Sequence, residues 1–155
     1  MSIEPQVERV FPFTGQIDPA DASAVILTDD TGRYVVQRRD IKPGIFYPGH
    51  LGLFGGACNK GESFENAAVR ELNEEISLNL EGRLTFFTRM TLGFEPFGKA
   101  SVEREFFHAA LSRDEVEKII VREGVGFEAI KAETLLTVER MVPYDAFAVW
   151  LHCNT

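Results

Sequence analysis

The stretch Gly56–Leu78, GACNKGESFENAAVRELNEEISL, contains five acidic residues and decides how the rest of the chain is interpreted. Three of them, Glu71, Glu74 and Glu75, follow helical spacing. At about 100° per residue, their side chains occupy an arc of roughly 100° on one helix. Carboxylates this close repel one another and raise one another's pKa. Mg²⁺ would relieve the repulsion because it prefers oxygen ligands. The stretch therefore predicts a helix that presents a magnesium site.

The same helix has an apolar side. Ser63 is a suitable N-cap, because its hydroxyl can accept a hydrogen bond from a backbone N–H of the first turn. The residues that repeat every four positions after it are all apolar, namely Phe64, Ala68, Leu72 and Ile76. Such a repeat predicts one face buried against a sheet. The acidic face would then border a cleft.

Composition limits the class of protein. With 155 residues and 45% hydrophobic residues, the chain is expected to form a single domain over residues 1–155, with an irregular or edge segment at residues 1–20. The net charge of −8 argues against general nucleic-acid binding. The sequence shows neither a signal-peptide pattern nor an apolar run of about 18 residues. We therefore expect a cytoplasmic protein that does not engage a membrane.

The order of the elements predicts an α/β fold with a mixed β-sheet covered by helices. Two antiparallel strands are expected on either side of a short central turn, at Leu84–Phe94 and Ala100–Leu111. The other expected strands are Ala24–Leu27 and Tyr34–Arg38, which form a hairpin, then Leu51–Phe54 and Val116–Val121. Further helices are expected at Ala132–Leu136 and from Pro143 onward.

The spacing of the acidic stretch is similar to a known signature. Gly56, five residues, Glu62, seven residues, Arg70-Glu71-Leu72, one residue and Glu74-Glu75 resembles the Nudix box of hydrolases that cleave a diphosphate linked to another group. One position departs from that box, because Ser77 stands where the family has glycine. The resemblance implies an α/β/α sandwich. It also implies that Arg70 pairs with Glu62 as structural support for the loop before the helix.

The resemblance also implies a set of metal ligands. Glu74 and Glu75 are the leading ligands, Glu71 is a ligand or a nearby base, and the carbonyl of Gly56 completes the set. The expected cofactor is Mg²⁺, with Mn²⁺ as an alternative. Metal ions of this kind polarise phosphoryl oxygens and lower the pKa of bound water.

In this family a further carboxylate commonly comes from a later loop. Glu123 is our first choice, because it lies in a glycine-bearing loop that follows an expected strand. Glu103, Glu105 and Glu128 are the alternatives. Glu103 and Glu105 have the same strand parity and would face the same side of the sheet.

Substrate contacts are expected before the acidic helix. Arg38 and Arg39 end a strand that borders the cleft in the family, so one of them could contact a phosphate; an ion pair with a neighbouring acid is the alternative. The loop at residues 41–50 carries Phe46 and Tyr47, which could contact a base or sugar, or simply pack within the loop.

The resemblance predicts a Mg²⁺-dependent pyrophosphohydrolase whose substrate is a small nucleoside diphosphate linked to another moiety, foremost a nucleotide sugar or modified nucleotide. A (d)NTP and ADP-ribose are the alternative substrates. A different class is a nucleotide-binding sensor without catalysis, although such proteins typically lose the box carboxylates that this chain keeps. A purely structural interaction domain would have no use for the acid cluster. A homodimer is possible.

Overall fold

A computed structural model describes residues 18–137 and 139–155, so most of the irregular segment expected at residues 1–20 lies outside the described residues. The strands are β1 Ala22–Thr28, β2 Tyr34–Arg38, β3 Leu51–Gly52, β4 Phe54–Ala57, β5 Thr85–Leu92, β6 Val102–Ala110 and β7 Gly126–Ile130. The helices are α1 Phe64–Ile76, α2 Arg113–Glu117, α3 Ala132–Thr137 and α4 Pro143–Cys153. None of the helices in this part of the chain is long and apolar enough to cross a membrane.

The strands form one mixed sheet. Its main order is β3-β2-β1-β6-β5, with β4 paired to β1 and β7 paired to β2. β1 and β6 run parallel, whereas β1–β2 and β5–β6 are antiparallel, as the hairpin and the two β-rich runs predict. The predicted mixed α/β sheet is confirmed.

Helices cover both faces of this sheet. Side chains alternate across a strand, so Val25 of β1 packs in the same cluster as Leu72 of α1, and Ile26 packs in the opposite cluster with Val149 of α4. All four are fully buried. The result is an α/β/α sandwich, with α1 on one face and α3 and α4 on the other.

The strand predicted at Val116–Val121 is wrong. Residues Arg113–Glu117 form α2 instead. Ser112 accepts a hydrogen bond from the backbone N–H of Glu115, whose carboxylate accepts one from the backbone N–H of Ser112. This reciprocal capping box starts a helix and overrides the β-branched composition that suggested a strand.

Two other boundaries differ from the sequence-based expectation. The strand expected at Leu51–Phe54 is divided at Leu53 into β3, which pairs with β2, and β4, which pairs with β1. The N–H of Leu53 leaves the ladder and donates to Oδ2 of Asp145 at 3.0 Å. β7 was not expected, because the short sequence GFEAI follows a glycine-rich loop and its pairing with β2 is long-range.

Ser77 explains why glycine suits the end of α1. It is the C-cap residue and adopts φ 59° and ψ 27°, in the left-handed region. A residue with a Cβ is strained there. The Ser77 hydroxyl is also buried without a hydrogen-bond partner in the described part of the chain.

We therefore expect Ser77→Gly to raise the free energy of unfolding by about 1 kcal/mol, since it removes the left-handed strain and the buried hydroxyl at some cost in unfolded-state entropy. Urea denaturation of both proteins measures the change. Ser77→Ala keeps the strain and removes only the hydroxyl, so a smaller gain is expected from it. Equal stability of the wild type and Ser77→Gly would show that the left-handed turn costs nothing.

Candidate active site

The site begins where the acidic face of α1 meets the glycines of β4. The carboxylate of Glu71 lies directly over Gly56: a Cβ built at Gly56 would be 2.6 Å from the Glu71 Cδ and 2.7 Å from its Oε1. Only glycine leaves space for this approach. The carboxylate is thus placed against the backbone whose carbonyl is a candidate metal ligand.

Glu75 is the most deeply buried acid of the site. Glu75 is only 5% exposed, and its Oε2 accepts a hydrogen bond from the N–H of Gly55 at 3.3 Å. Burial raises the pKa of Glu75 to about 8, and the charges of Glu71 and Glu123 add to the increase. Without a cation, this carboxyl group favours its protonated form.

Glu71 is in a similar environment with one compensating partner. Burial is the main cause that raises the pKa of Glu71, and the negative charges of Glu74 and Glu123 act in the same direction. A hydrogen bond from Nη1 of Arg70 to Oε1 at 2.9 Å opposes the rise. Glu71, Glu75 and Glu123 therefore share one region in which several negative charges together are unfavourable without a cation.

Arg70 and Glu62 hold the loop before α1. Arg70 donates from Nε and Nη2 to the two carboxylate oxygens of Glu62, at 2.9 Å and 2.8 Å, and from Nη2 to the carbonyl of Ala57 at 3.0 Å. The N–H of Asn59 donates to the same carboxylate. These bonds hold the pKa of Glu62 at about 2. The arrangement is a bidentate pair that ties the loop to the helix.

Glu74 occupies the rim of the site. Its side chain is 58% exposed and pairs with Nη1 of Arg70 at 3.3 Å. Glu74 is not among the described residues that line the cleft. As a metal ligand it would have to exchange its contact with Arg70 for the cation, so that role stays a prediction.

The loop after α2 brings Glu123 to the cleft. The N–H of Arg122 donates to the carbonyl of Glu75 at 2.8 Å, and the N–H of Val125 donates to the carbonyl of Arg38 at 2.9 Å. Nε2 of Gln37 donates to the carbonyl of Glu123 at 2.9 Å. The loop is thus tied to both α1 and β2, which explains why the Glu123 carboxylate influences Glu75.

The three competing acids lie elsewhere. Glu128 on β7 accepts a hydrogen bond from Nη2 of Arg38 at 2.6 Å. Glu105 is paired with Arg89, and Glu103 accepts from the hydroxyl of Thr91 at 2.8 Å. Among the described residues, Glu123 is the one of the four candidates that lines the cleft.

Two adjoining cavities share one edge. The acidic cleft, about 220 Å³, is lined by Glu71, Glu75 and Glu123. A second cavity of about 250 Å³, the apolar pocket, lies beside it and is lined by Leu53, Phe94 and Val142 among others. Both cavities are lined by Arg39, Gly55 and Gly56.

The two arginines considered for phosphate binding face different surroundings. Arg39 lies between the two cavities, where its Nε donates to the carbonyl of Phe46 at 2.9 Å. Arg38 points away and pairs with Glu128 and, at 3.6 Å, with Glu139. Successive side chains of a strand alternate in direction, so the geometry favours Arg39 for ligand contact and gives Arg38 the ion-pair alternative.

The aromatic loop is also divided. Phe46 lines the apolar pocket. Tyr47 is only 2% exposed and packs edge-on against Tyr144, with ring centroids 5.9 Å apart. The expected contact of Tyr47 with a base or sugar therefore finds no support, because its ring is turned into the interior.

The residues around Gly56 fit a hard divalent cation. The donor set consists of carboxylate and carbonyl oxygens, and the carboxylates carry raised pKa values that a nearby cation would lower. Within the described ranges, no group of three or more acidic, histidine or cysteine side chains is placed to hold a metal ion by itself. Mg²⁺ does not need one, since it is usually held by one or two carboxylates together with water and substrate phosphates.

Sequence reasoning missed the pair formed by Arg104 and Asp145. Nη2 of Arg104 donates to Oδ1 of Asp145 at 3.0 Å, and both residues line the apolar pocket. A signal was available: Arg104 shares strand parity with Val102 and Phe106, so a charged residue interrupts an apolar face.

Comparison with known proteins gives the same assignment as the geometry. The model of the NUDIX domain family matches residues 18–150. A protein of Rhodococcus erythropolis, named uncharacterized Nudix hydrolase orf19, is 31% identical over 70 residues. That match covers 45% of this chain and 38% of the relative, so this chain spans well under half of that protein.

Solved structures share the fold. The MutT protein of Methanosarcina mazei Go1 superimposes with a TM-score of 0.71 at 16% identity, covering 88% of this chain and 95% of that one. The dihydroneopterin triphosphate pyrophosphohydrolase of E. coli gives a TM-score of 0.65 at 18% identity, covering 90% and 99%. These structures show a shared fold, and the match of the family model over residues 18–150 confirms the resemblance found in the sequence.

Proposed function

Because this chain belongs to the NUDIX domain family, we propose that it is a Mg²⁺-dependent pyrophosphohydrolase that cleaves the diphosphate of a nucleoside diphosphate linked to a second group. The observation that carries the proposal is the convergence of Glu71, Glu75 and Glu123 on one cleft beside Gly55 and Gly56. Three acids that line one cleft repel one another, and a bound cation with its phosphates would explain the cluster because the cation neutralises this repulsion.

Each group has a distinct task in this proposal. Glu71, Glu75 and the carbonyl of Gly56 would hold Mg²⁺, and Glu74 would join them from the rim. The metal would neutralise charge on the phosphoryl oxygens, which is the main requirement of phosphoryl transfer. Glu123, exposed on an anchored loop, orients the attacking water and accepts its proton. Arg39 contacts a phosphate at the boundary of the two cavities.

The apolar pocket supports a substrate with a ring system beside the diphosphate. Its walls are mainly aliphatic and aromatic, while the acidic cleft next to it suits metal-bound phosphates. A nucleotide sugar or modified nucleotide, the first choice from the sequence, is compatible with this pocket, and a (d)NTP and ADP-ribose stay the alternatives. The homodimer and the cytoplasmic location stay predictions from the sequence.

An activity screen with Mg²⁺ tests the proposal by detecting the cleaved products directly. Nucleotide sugars, dNTPs and ADP-ribose are incubated with the protein, and products are separated by chromatography. We expect Mg²⁺-dependent cleavage of the diphosphate in at least one of these classes. Nucleotide binding without any turnover would instead favour a sensor module.

Glu123→Gln is expected to slow turnover by about 10²-fold, because it removes the base while preserving the size of the side chain. Glu128→Gln is the matched control: Glu128 is an acid of β7 five positions further along the chain, but it pairs with Arg38 away from the cleft. Steady-state kinetics of the two variants decide the assignment. A larger loss in Glu128→Gln would show that the wrong acid was chosen.

A further inference from the structure

The apolar pocket has the size and position of a site for one ring system. Its volume, about 250 Å³, is just below the roughly 300–1,000 Å³ of pockets that enclose drug-sized ligands. It meets the acidic cleft at Arg39, Gly55 and Gly56. A nucleotide with its diphosphate in the cleft would therefore extend its nucleoside, the ribose first and the base beyond it, into this pocket.

The polar groups at the base of this pocket are unusual for an apolar cavity. Asp145 is 2% exposed, and both of its oxygens accept hydrogen bonds from the protein, Oδ1 from Arg104 and Oδ2 from the N–H of Leu53. The guanidinium of Arg104 lies 4.9 Å from the ring centroid of Tyr144 and 5.5 Å from that of Phe106. Its orientation is thus fixed by stacking as well as by the ion pair.

Arg104 has hydrogen-bonding capacity that the described protein does not use. Arginine carries five N–H donors and no acceptor. In the described part of the chain, Asp145 engages Nη2, while Nε is buried and has no hydrogen-bond partner. Nε is closed off from the pocket, so Arg104 can present N–H donors there only from the 14% of its side chain that is exposed. Each oxygen of Asp145 already accepts one hydrogen bond.

We propose that Arg104 selects nucleotides whose base presents keto oxygens, as hypoxanthine, guanine and uracil do, over bases that present an amino group at the same position. An Arg fork matches the two acceptors of a keto purine edge. An amino group would face a donor with a donor, and leaving such polar groups unpaired is costly. The proposal rests on the proposed function, because it takes the acidic cleft to hold the diphosphate.

A phosphate is a weaker candidate for the same arginine. The charge of Arg104 is already balanced by Asp145, and the surrounding walls include Leu53, Val102 and Val142. A neutral ring with acceptor atoms loses less hydration on entering such a site than an anion does. The other acid of the pocket, Asp18, is exposed and paired with Lys99 at 2.7 Å.

Matched base pairs test the wild-type protein. IDP-glucose and ADP-glucose differ at purine position 6, and UDP-glucose and CDP-glucose differ at pyrimidine position 4, each as keto against amino. We expect kcat/KM to favour the keto member by at least about tenfold in one pair. Equal kcat/KM values within both pairs would overturn the proposal without touching the proposed hydrolase.

Binding separates the proposal from catalysis. Calorimetry with the α,β-methylene diphosphates of the same four nucleosides in Mg²⁺ measures affinity without cleavage. Tighter binding of the keto nucleotides with no turnover of any substrate would contradict the proposed hydrolase activity but support the selection of keto bases by Arg104. Absence of both binding and turnover would overturn both.

Arg104→Gln gives a positive signature that a structural ion pair cannot give. Glutamine has one donor and one acceptor group and matches an amino purine edge. We expect the IDP/ADP ratio of kcat/KM to fall at least tenfold. Arg104→Lys, which keeps the charge opposite Asp145, is the control for folding. An unchanged ratio in folded Arg104→Gln would contradict the proposal, and the wild-type ratios decide it if that variant does not fold.

Discussion

Glu75→Gln is expected to lower Mg²⁺-dependent turnover by at least about 10²-fold while the fold stays intact. The amide has the same size and can still accept the hydrogen bond from the N–H of Gly55 through its oxygen. It cannot carry the negative charge that attracts the cation. Steady-state kinetics over a range of Mg²⁺ concentrations measure the loss. Glu65→Gln is the matched control, because Glu65 is an exposed acid of the same helix.

The same variant should gain stability without metal. The pKa of Glu75 is raised from 4.5 to about 8 in the folded protein. Its contribution to the free energy of unfolding is therefore fully present below pH 4.5 and is lost as pH rises through 8. In EDTA at pH 8.5 we expect Glu75→Gln to be more stable than the wild type by on the order of 3 kcal/mol. At pH 5 the difference should nearly vanish. Urea unfolding at both pH values measures it, and equal stability at pH 8.5 would contradict the burial argument.

Alanine at the two adjacent glycines should fail in two different ways. Gly55 has φ 145°, and a Cβ there would be 2.1 Å from the carbonyl oxygen of Ser23, on the backbone of β1. This clash cannot be relieved by a rotamer change. We expect Gly55→Ala to cost roughly 3–5 kcal/mol of folding stability. Circular dichroism during thermal unfolding would register it as a large fall in Tm.

Gly56→Ala should instead leave most of the stability and lose activity. Its Cβ would collide with the carboxylate of Glu71, the end of a flexible side chain that can move aside. We expect a loss of roughly 10–10²-fold in kcat/KM, because displacing a positioned group by about 1 Å has an effect of that size. The reverse pattern, a folded and inactive Gly55→Ala beside an unfolded Gly56→Ala, would contradict the structure.

Much of the fold could be predicted because local signals agreed with long-range packing. Ser63 as N-cap and the four-residue apolar repeat place α1 correctly. β7 could not be predicted locally, because its five residues, with Glu128 at the centre, form a strand only through pairing with β2. α2 was not predicted, because the capping box at Ser112 stabilises a helix and outweighs the strand preference of the β-branched residues that follow.

The candidate site was less uniformly predictable. The acids of α1 share a helix, so their spacing alone brings Glu71 and Glu75 together. Glu123 comes from a distant loop, and only its neighbouring glycine suggested it. Whether Arg38 or Arg39 faces the cleft depends on strand register, which composition does not determine. Arg104 and Asp145 are brought together by tertiary packing across 41 positions of sequence.

The hydrogen bond from Leu53 to Asp145 has a consequence for biosynthesis. The two residues are 92 positions apart, and Asp145 belongs to the last helix of the described chain. A ribosome adds residues from the N-terminus onward. The backbone of Leu53, just before β4, is therefore complete long before Asp145 emerges. Until α4 docks, the N–H of Leu53 can hydrogen-bond only to water at this position. The wall of the apolar pocket that Asp145 supplies can therefore form only after α4 has been synthesised.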